Sequence, residues 1–259
     1  MKVGVMGLGF VGNATKHVFE KVHVMYCYDP IKEGYKDTNV LKNAEVIFVC
    51  VNTPMYQDGR EDPSQVESAC KTIKELGTNS VACIKSTVSP GTSRNLESKF
   101  NIRVGHNPEF LRAKHAIEDM LNSNRIIIGG NKEVREKIKD VYLPLFPNVI
   151  YKEMSSDESE MVKHTTNSFL ALQVGFANEI YNICNNLGIE YNHIKEAVAL
   201  DERLGSHIDV PGADGKLGFG GHCFPKDLNS LIYSAESNGY TPTLLRTLRE
   251  FNKKQRNLK

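Results

Sequence analysis

The chain has 259 residues, 32 of them basic and 31 acidic, for a formal charge of +1. With 40% hydrophobic and 24% charged residues it has a globular composition, which excludes global disorder, and its length predicts one large or two modest domains. The balanced charge excludes a broad polybasic surface, so no nucleic-acid partner is expected. No stretch is long and apolar enough for a membrane span.

The opening Met1–Val11 is too punctuated by glycine for a signal peptide, and the expected location is cytoplasmic. Lys2–Met6 reads as a strand, Gly7–Gly12 as a glycine turn, and Asn13–Glu20 as a helix. Val22–Tyr28, Glu45–Val51, Val81–Lys85 and Arg125–Ile128 are β-rich runs of strand length. Helical stretches such as Ser64–Leu76 lie between them. This alternation predicts an α/β domain, a parallel sheet covered on both faces, over residues 1–152. Strand signals then stop. Ser155–Leu187 reads as one long helix closed by Gly188, followed by helices at Tyr191–Leu200, Pro225–Asn238 and from Pro242 onward. Leu204–His222 carries six glycines and a proline, too many for a helix. Residues 153–259 therefore form an all-helical second domain.

Gly7-Leu8-Gly9-Phe10-Val11-Gly12 fits G-x-G-x-x-G between a strand and a helix, the pattern of a Rossmann-like dinucleotide site. The first glycine permits the turn, the second lets backbone approach a pyrophosphate, and the third lets helix pack on strand. The next strand ends in Asp29, near the ~20-residue spacing of a ribose-binding acid. No arginine stands beside it, which predicts NAD over NADP. Val51-Asn52-Thr53-Pro54 and Lys85-Ser86-Thr87-Val88 each close a strand with polar residues, where ligands of such sheets bind, although ordinary turns use the same residues.

Asn107-Pro108-Glu109-Phe110-Leu111-Arg112 sets an acid and a base around apolar residues, which is also the pattern of a solvated turn with an i,i+3 ion pair. Lys163 and Asn167 share a helix face, either toward a cleft or toward solvent. The six cysteines show neither C-x-x-C pairing nor metal-ligand spacing. Cys50 and Cys83 sit in apolar runs as buried thiols. Cys223 differs, because Gly218-Phe219-Gly220-Gly221-His222 precedes it and Phe224-Pro225-Lys226-Asp227 follows at a helix start. Dipole and lysine both favour a thiolate there, and Asp227, one turn on, suits a base or a water-orienting group. His222 reads as pocket lining.

These motifs, in this order, resemble the UDP-glucose/GDP-mannose dehydrogenase family over nearly the whole chain, most closely its UDP-glucose-oxidising branch. The resemblance implies a four-electron, two-NAD oxidation of the sugar C6 alcohol of UDP-glucose to UDP-glucuronate, for polysaccharide biosynthesis, through a cysteine thiohemiacetal and thioester. It assigns the nucleophile to Cys223 and the oxyanion and water partners to Lys163 and Asp227. Asn167, Thr87 and Glu109 match the positions for the water and thioester hydrolysis. Gly7, Gly9, Phe10, Val11, Gly12, Asp29, Thr53 and Lys226 match dinucleotide contacts. Glu109, Phe110, Leu111, Arg112, Lys163, Asn167, Phe219 and Gly220 match substrate contacts, and Arg203 matches an arginine that reaches a neighbouring subunit's substrate in a homodimer. The resemblance implies that family members continue into a further UDP-binding domain, which this sequence, ending at Lys259, is expected to lack. Gly-Gly-His-Cys is shared with the N-acetylmannosamine branch. UDP-N-acetylmannosamine or GDP-mannose oxidation, or a catalytically weak nucleotide-binding remnant, are the alternatives.

Overall fold

The structure is a computed structural model that describes residues 1–201, 204, 207–221 and 223–258. The chain divides into two compact units. The first contains residues 1–56 and 61–163, and the second 57–60 and 164–259.

The first unit is built on a seven-stranded sheet. Its strands are β1 (Lys2–Met6), β2 (Val24–Tyr28), β3 (Val46–Val49), β4 (Val81–Ile84), β5 (Arg103–His106), β6 (Arg125–Gly129) and β7 (Ile150–Met154), in the order β2-β1-β3-β4-β5-β6-β7. The helices between them are α1 (Phe10–Phe19), α2 (Ser64–Glu75), α3 (Thr92–Phe100), α4 (Ala116–Leu121) and α5 (Lys132–Tyr142). Alternation along each strand sorts the core. Val3, Val5, Val46, Phe48, Val81 and Cys83 pack with α1 and α5 on one face. Met6, Ile47, Val49, Ala82 and Ile84 pack with α2 and α3 on the other. Strand order reverses between β1 and β3, the point where such sheets bind ligands beyond their carboxyl ends.

The sheet is not parallel throughout. β2 to β5 pair in parallel, but β5 and β6 are antiparallel, meeting at His106 and Gly129, and β6 and β7 are parallel again. β5 and β7 carry weak signals, because Arg103-Val104-Gly105-His106 is half polar and β7 is largely solvated.

The second unit is helical, with the remainder of α6 (Ser156–Leu187), α7 (Tyr191–Val198), α8 (Cys223–Ser237) and α9 (Thr243–Gln255). The Ser155 hydroxyl donates to Glu158 (2.6 Å) and its oxygen accepts the Glu158 N–H (3.3 Å), a reciprocal cap at the start of α6. Gly188 ends α6 with φ +68°, and the Ile189 N–H reaches back to Cys184 O at 2.9 Å. The division falls after Lys163, eleven residues beyond the composition boundary at 152, because the first two turns of α6 pack into the first unit. Ser159, for example, is bonded to His106 of β5 at 2.8 Å. No helix among the described residues is long and apolar enough to cross a membrane.

Candidate functional site

The glycine turn folds as its spacing predicts. Gly7 takes φ +87°, and a Cβ there would stand 2.7 Å from Cys50 O. A Cβ on Gly12 would lie 1.9 Å from Gly7 O, so side-chain bulk is excluded at the strand–helix contact. A Cβ on Gly9 would meet nothing within 4 Å, which leaves that backbone open to a ligand. No side chain caps α1, whose first turn holds Phe10, Val11 and Gly12, so its leading N–H groups remain suited to a pyrophosphate.

Asp29 is buried, and its carboxylate accepts the backbone N–H groups of Leu8 (2.8 Å), Ile31 (2.9 Å) and Lys32 (3.1 Å). Burial pushes this carboxyl up, but those N–H groups and the Lys32 charge outweigh it and leave it below its ordinary range. Asp29 thus holds the glycine turn. The Lys32 ammonium donates to Leu8 O at 2.6 Å, so a basic group, though not an arginine, does stand near this turn. These residues fit NAD. A preference for NAD over NADP of at least tenfold, about 1.4 kcal/mol, is expected in cofactor titrations. Equal turnover with both would remove the discriminating role from Asp29.

The two polar strand ends are brought together. Thr53 Oγ1 donates to Thr87 O at 2.9 Å, and Ser86 Oγ donates to Val51 O at 2.6 Å. The loop that follows Thr87 is held by a residue that belongs to no sequence motif. Glu160, fully buried on α6, accepts the N–H groups of Gly91 (2.6 Å) and Ser93 (2.8 Å) at the start of α3. Burial pushes its carboxyl up to about 7, against the lowering by Ser93 and Gly91. Because the folded state holds the proton more tightly than a chain with the ordinary value of 4.5, the stability linked to that proton is full below about pH 4.5. It is lost as pH rises through 7, by about 3 kcal/mol in all. Melting temperatures measured from pH 5 to 8 should show this slope in the native protein and not in Glu160→Gln; identical slopes would contradict it.

Glu109 and Arg112 do not pair with each other. Arg112, exposed, makes two-pronged contacts to Asp119, with Nη2 to Oδ1 at 2.6 Å and Nε to Oδ2 at 3.1 Å, so its guanidinium is committed there. Glu109 instead meets Lys163, whose ammonium donates to its carboxylate (3.1 Å) and its backbone carbonyl (2.6 Å). The Lys163 side chain is 5% exposed, which excludes a solvent-facing lysine. It also lies over the Phe110 ring, 5.4 Å from the centroid. The Leu111 N–H closes the turn on Glu109 at 2.6 Å. Beneath, the buried Lys85 ammonium donates to Asn107 Oδ1 (2.8 Å) and Tyr142 Oη (3.2 Å), and burial pushes it down. It borders a cavity of about 50 Å³ lined also by Glu109 and Arg125.

In the second unit Cys223 is the first residue of α8 and, of the six cysteines, the one that is exposed. Burial pushes the Cys50 and Cys70 thiols up to about 12, and that of Cys83 up as well. Asp227, one turn after Cys223, is 1% exposed. Its carboxylate accepts the Asn167 side-chain amide on one oxygen and pairs with the Lys226 ammonium on the other at 2.9 Å. Lys163 and Asn167 are one turn apart on α6, Lys163 closing the first unit and Asn167 belonging to the second. Phe219 is buried beside Leu228, Ile232 and Leu248, and Gly220 follows it. Arg203 and His222 lie outside the described residues.

Residues 30–146 match the NAD binding domain of the UDP-glucose/GDP-mannose dehydrogenase family, and residues 157–254 match the central domain of the same family. UDP-glucose 6-dehydrogenase TuaD of Bacillus subtilis is 32% identical across 98% of this chain and 63% of its own length. UDP-glucose 6-dehydrogenase of Pseudomonas aeruginosa is 33% identical across 84% and 50%. This chain therefore spans between half and two thirds of the length of these relatives. Among solved structures, a UDP-glucose dehydrogenase from Pyrobaculum islandicum superposes with a TM-score of 0.88 at 28% identity, over 98% of this chain and 68% of that one. A UDP-D-ManNAc dehydrogenase from Pyrococcus horikoshii gives 0.83 at 25% identity, over 98% and 69%.

Proposed function

Since this chain belongs to the UDP-glucose/GDP-mannose dehydrogenase family, we propose that it is an NAD-dependent nucleotide-sugar 6-dehydrogenase, with UDP-glucose as substrate and UDP-glucuronate as product. The observation that carries this reading is the cluster on α8. An exposed thiol opens the helix, and one turn on, a buried carboxylate is held by an amide and an ammonium. Such a cluster suits covalent catalysis with proton transfer.

Bound NAD supplies the hydride acceptor, once for each oxidation. Cys223 adds its sulfur to the aldehyde carbon left by the first oxidation, giving a thiohemiacetal that keeps the aldehyde from escaping. After the second hydride and the hydroxyl proton leave, the sulfur holds a thioester. Asp227, with Asn167 beside it, orients water for attack on that thioester and takes up its proton as the C–S bond breaks. Thr87 and Glu109 assist this hydrolysis, and the Lys163 ammonium stabilises the tetrahedral oxyanions. The balance is one alcohol, two NAD and one water to one carboxylate, two NADH and three protons.

Phe169, Phe176, Ile183 and Leu187 of α6 are 45–66% exposed, which supports assembly as a homodimer. A dimer mass by light scattering is the expected result, and a monomer at micromolar concentration contradicts it. The product would serve polysaccharide synthesis in the cytoplasm. The Pyrococcus relative and the Gly-Gly-His-Cys sequence favour UDP-N-acetylmannosamine as the second reading. NADH production with UDP-glucose, UDP-N-acetylmannosamine and GDP-mannose separates the two. Turnover of UDP-glucose alone supports the first reading, and turnover with none of them overturns both.

A further inference from the structure

A loop as rich in glycine as Leu204–His222 does not define its own path, because each glycine gives the backbone more freedom than any other residue would. Something else must fix the approach to Cys223. Among the described residues, the stretch from Gly218 is held by Asn178 of α6, Asn252 of α9 and Arg256 just after α9. Asn178 Oδ1 accepts the Gly218 N–H at 2.7 Å. Asn252 Oδ1 accepts the Phe219 N–H at 2.8 Å, and Asn252 Nδ2 donates to Phe219 O at 3.0 Å. One amide thus pairs with one residue's backbone in both directions, as a neighbouring strand would. Arg256 donates to Gly218 O at 3.2 Å and to Asp214 Oδ2 at 2.7 Å.

The packing is close at Gly218. A Cβ on Gly218 would lie 2.5 Å from Asn252 Oδ1, and one on Gly220 would lie 2.3 Å from the Arg256 guanidinium. Gly218 also takes φ +73°, where a side chain would be strained. Asn252 is 7% exposed, so either half of its amide would be costly to leave unmatched. The Phe219 side chain, anchored in the core with Leu248 one turn before Asn252 on α9, makes the same join from its apolar side.

We propose that Asn252 is a positioning residue for Cys223, fixing from α9 the Phe219 backbone within Gly218–Gly221, the segment that precedes α8. The inference rests on the reading of Cys223 as the nucleophile. It adds that the orientation of the sulfur, and the backbone seat beside it, are fixed by an amide that touches neither substrate nor cofactor.

Asn252→Asp tests it, because the variant keeps the shape and one acceptor but loses the donor to Phe219 O. Asn252→Gln is the second variant, keeping the amide on a longer stem. The full-length proteins are compared by melting temperature, by kcat and KM for the nucleotide sugar, and by the pH profile of iodoacetamide alkylation at Cys223, read by mass spectrometry. The expected result in a folded variant is a fall in kcat of at least about tenfold, as small misplacements of reacting groups produce, with the KM for NAD unchanged. The rate or pH midpoint of Cys223 alkylation shifts with it. Folded variants with wild-type kcat and an unchanged alkylation profile overturn the proposal. So does a loss of activity that merely follows the loss of folded protein in both variants. Alkylation needs no substrate, so it still decides the question if the wild-type chain oxidises no nucleotide sugar, the result that would refute the proposed function instead.

Discussion

Replacing Cys223 with serine is expected to lower carboxylate formation by at least about a thousandfold, roughly 4 kcal/mol of barrier, while NAD binds as before. Chemistry sets the first half of this result. A serine hydroxyl is almost wholly protonated near neutral pH and adds slowly to an aldehyde, whereas a thiol supplies some thiolate and is intrinsically more nucleophilic. The environment of Cys223 adds to this. The residue is exposed at the first turn of α8, where the helix dipole favours negative charge. The other cysteines cannot substitute for it, since Cys50, Cys70, Cys83 and Cys184 are buried and Cys27 is partly so. Organisation sets the second half. The glycine turn, Asp29 and Thr53 belong to the first unit, whose sheet has its own core on each face. Calorimetry with NAD and an assay for the uronate on the purified variant check both halves. Wild-type rates of acid formation would remove Cys223 from the mechanism.

Gly12→Ala and Gly9→Ala are expected to fail in opposite ways. A methyl at position 12 would sit 1.9 Å from Gly7 O, a backbone atom that cannot rotate aside. Strand β1 and helix α1 would have to separate, although Val5, Ala14 and Val18 pack together there with no exposure above 1%. Such overpacking costs about 3 kcal/mol or more and should lower the melting temperature markedly. A methyl at position 9 meets no protein atom within 4 Å, so the melting temperature should stay near the wild-type value. NAD affinity should nevertheless fall about tenfold or more, because the methyl occupies the approach of the pyrophosphate. Thermal melts and NAD titrations on both variants decide the matter. If Gly9→Ala bound NAD normally, the pyrophosphate would not lie on this turn.

What the sequence revealed was mostly local. Lys2–Met6, the glycine turn and the caps of α6 are set by neighbours a few residues apart and are found where their patterns place them, while α8 starts at Cys223, two residues before the Pro225 expected from the sequence. The partners of the site residues were far less legible. Glu109 and Arg112 are three residues apart, yet one pairs with Lys163 and the other with Asp119. Glu160 and Asn252 carry no motif at all, and the strand-closing string that opens with Lys85 says nothing of its partners. Each acts on backbone or amides 22 to 69 residues away, a relation that only the folded chain creates. Their one shared signal is a polar residue at a position whose neighbours require burial, such as Asn252 four residues after Leu248 on α9. β5 and the antiparallel step to β6 escaped for a related reason. A four-residue strand with a glycine and two basic residues has little apolar alternation to display.

In the proposed mechanism one cysteine carries one substrate through two oxidations. The direct test is the ratio of NADH formed to carboxylate formed when the purified protein is given limiting UDP-glucose and excess NAD. Two NADH per carboxylate, with no aldehyde captured by an added trapping amine and no acid from Cys223→Ser, is the result this mechanism predicts. A ratio of one with aldehyde released to the trap, or two with Cys223→Ser as active as the native chain, would contradict it.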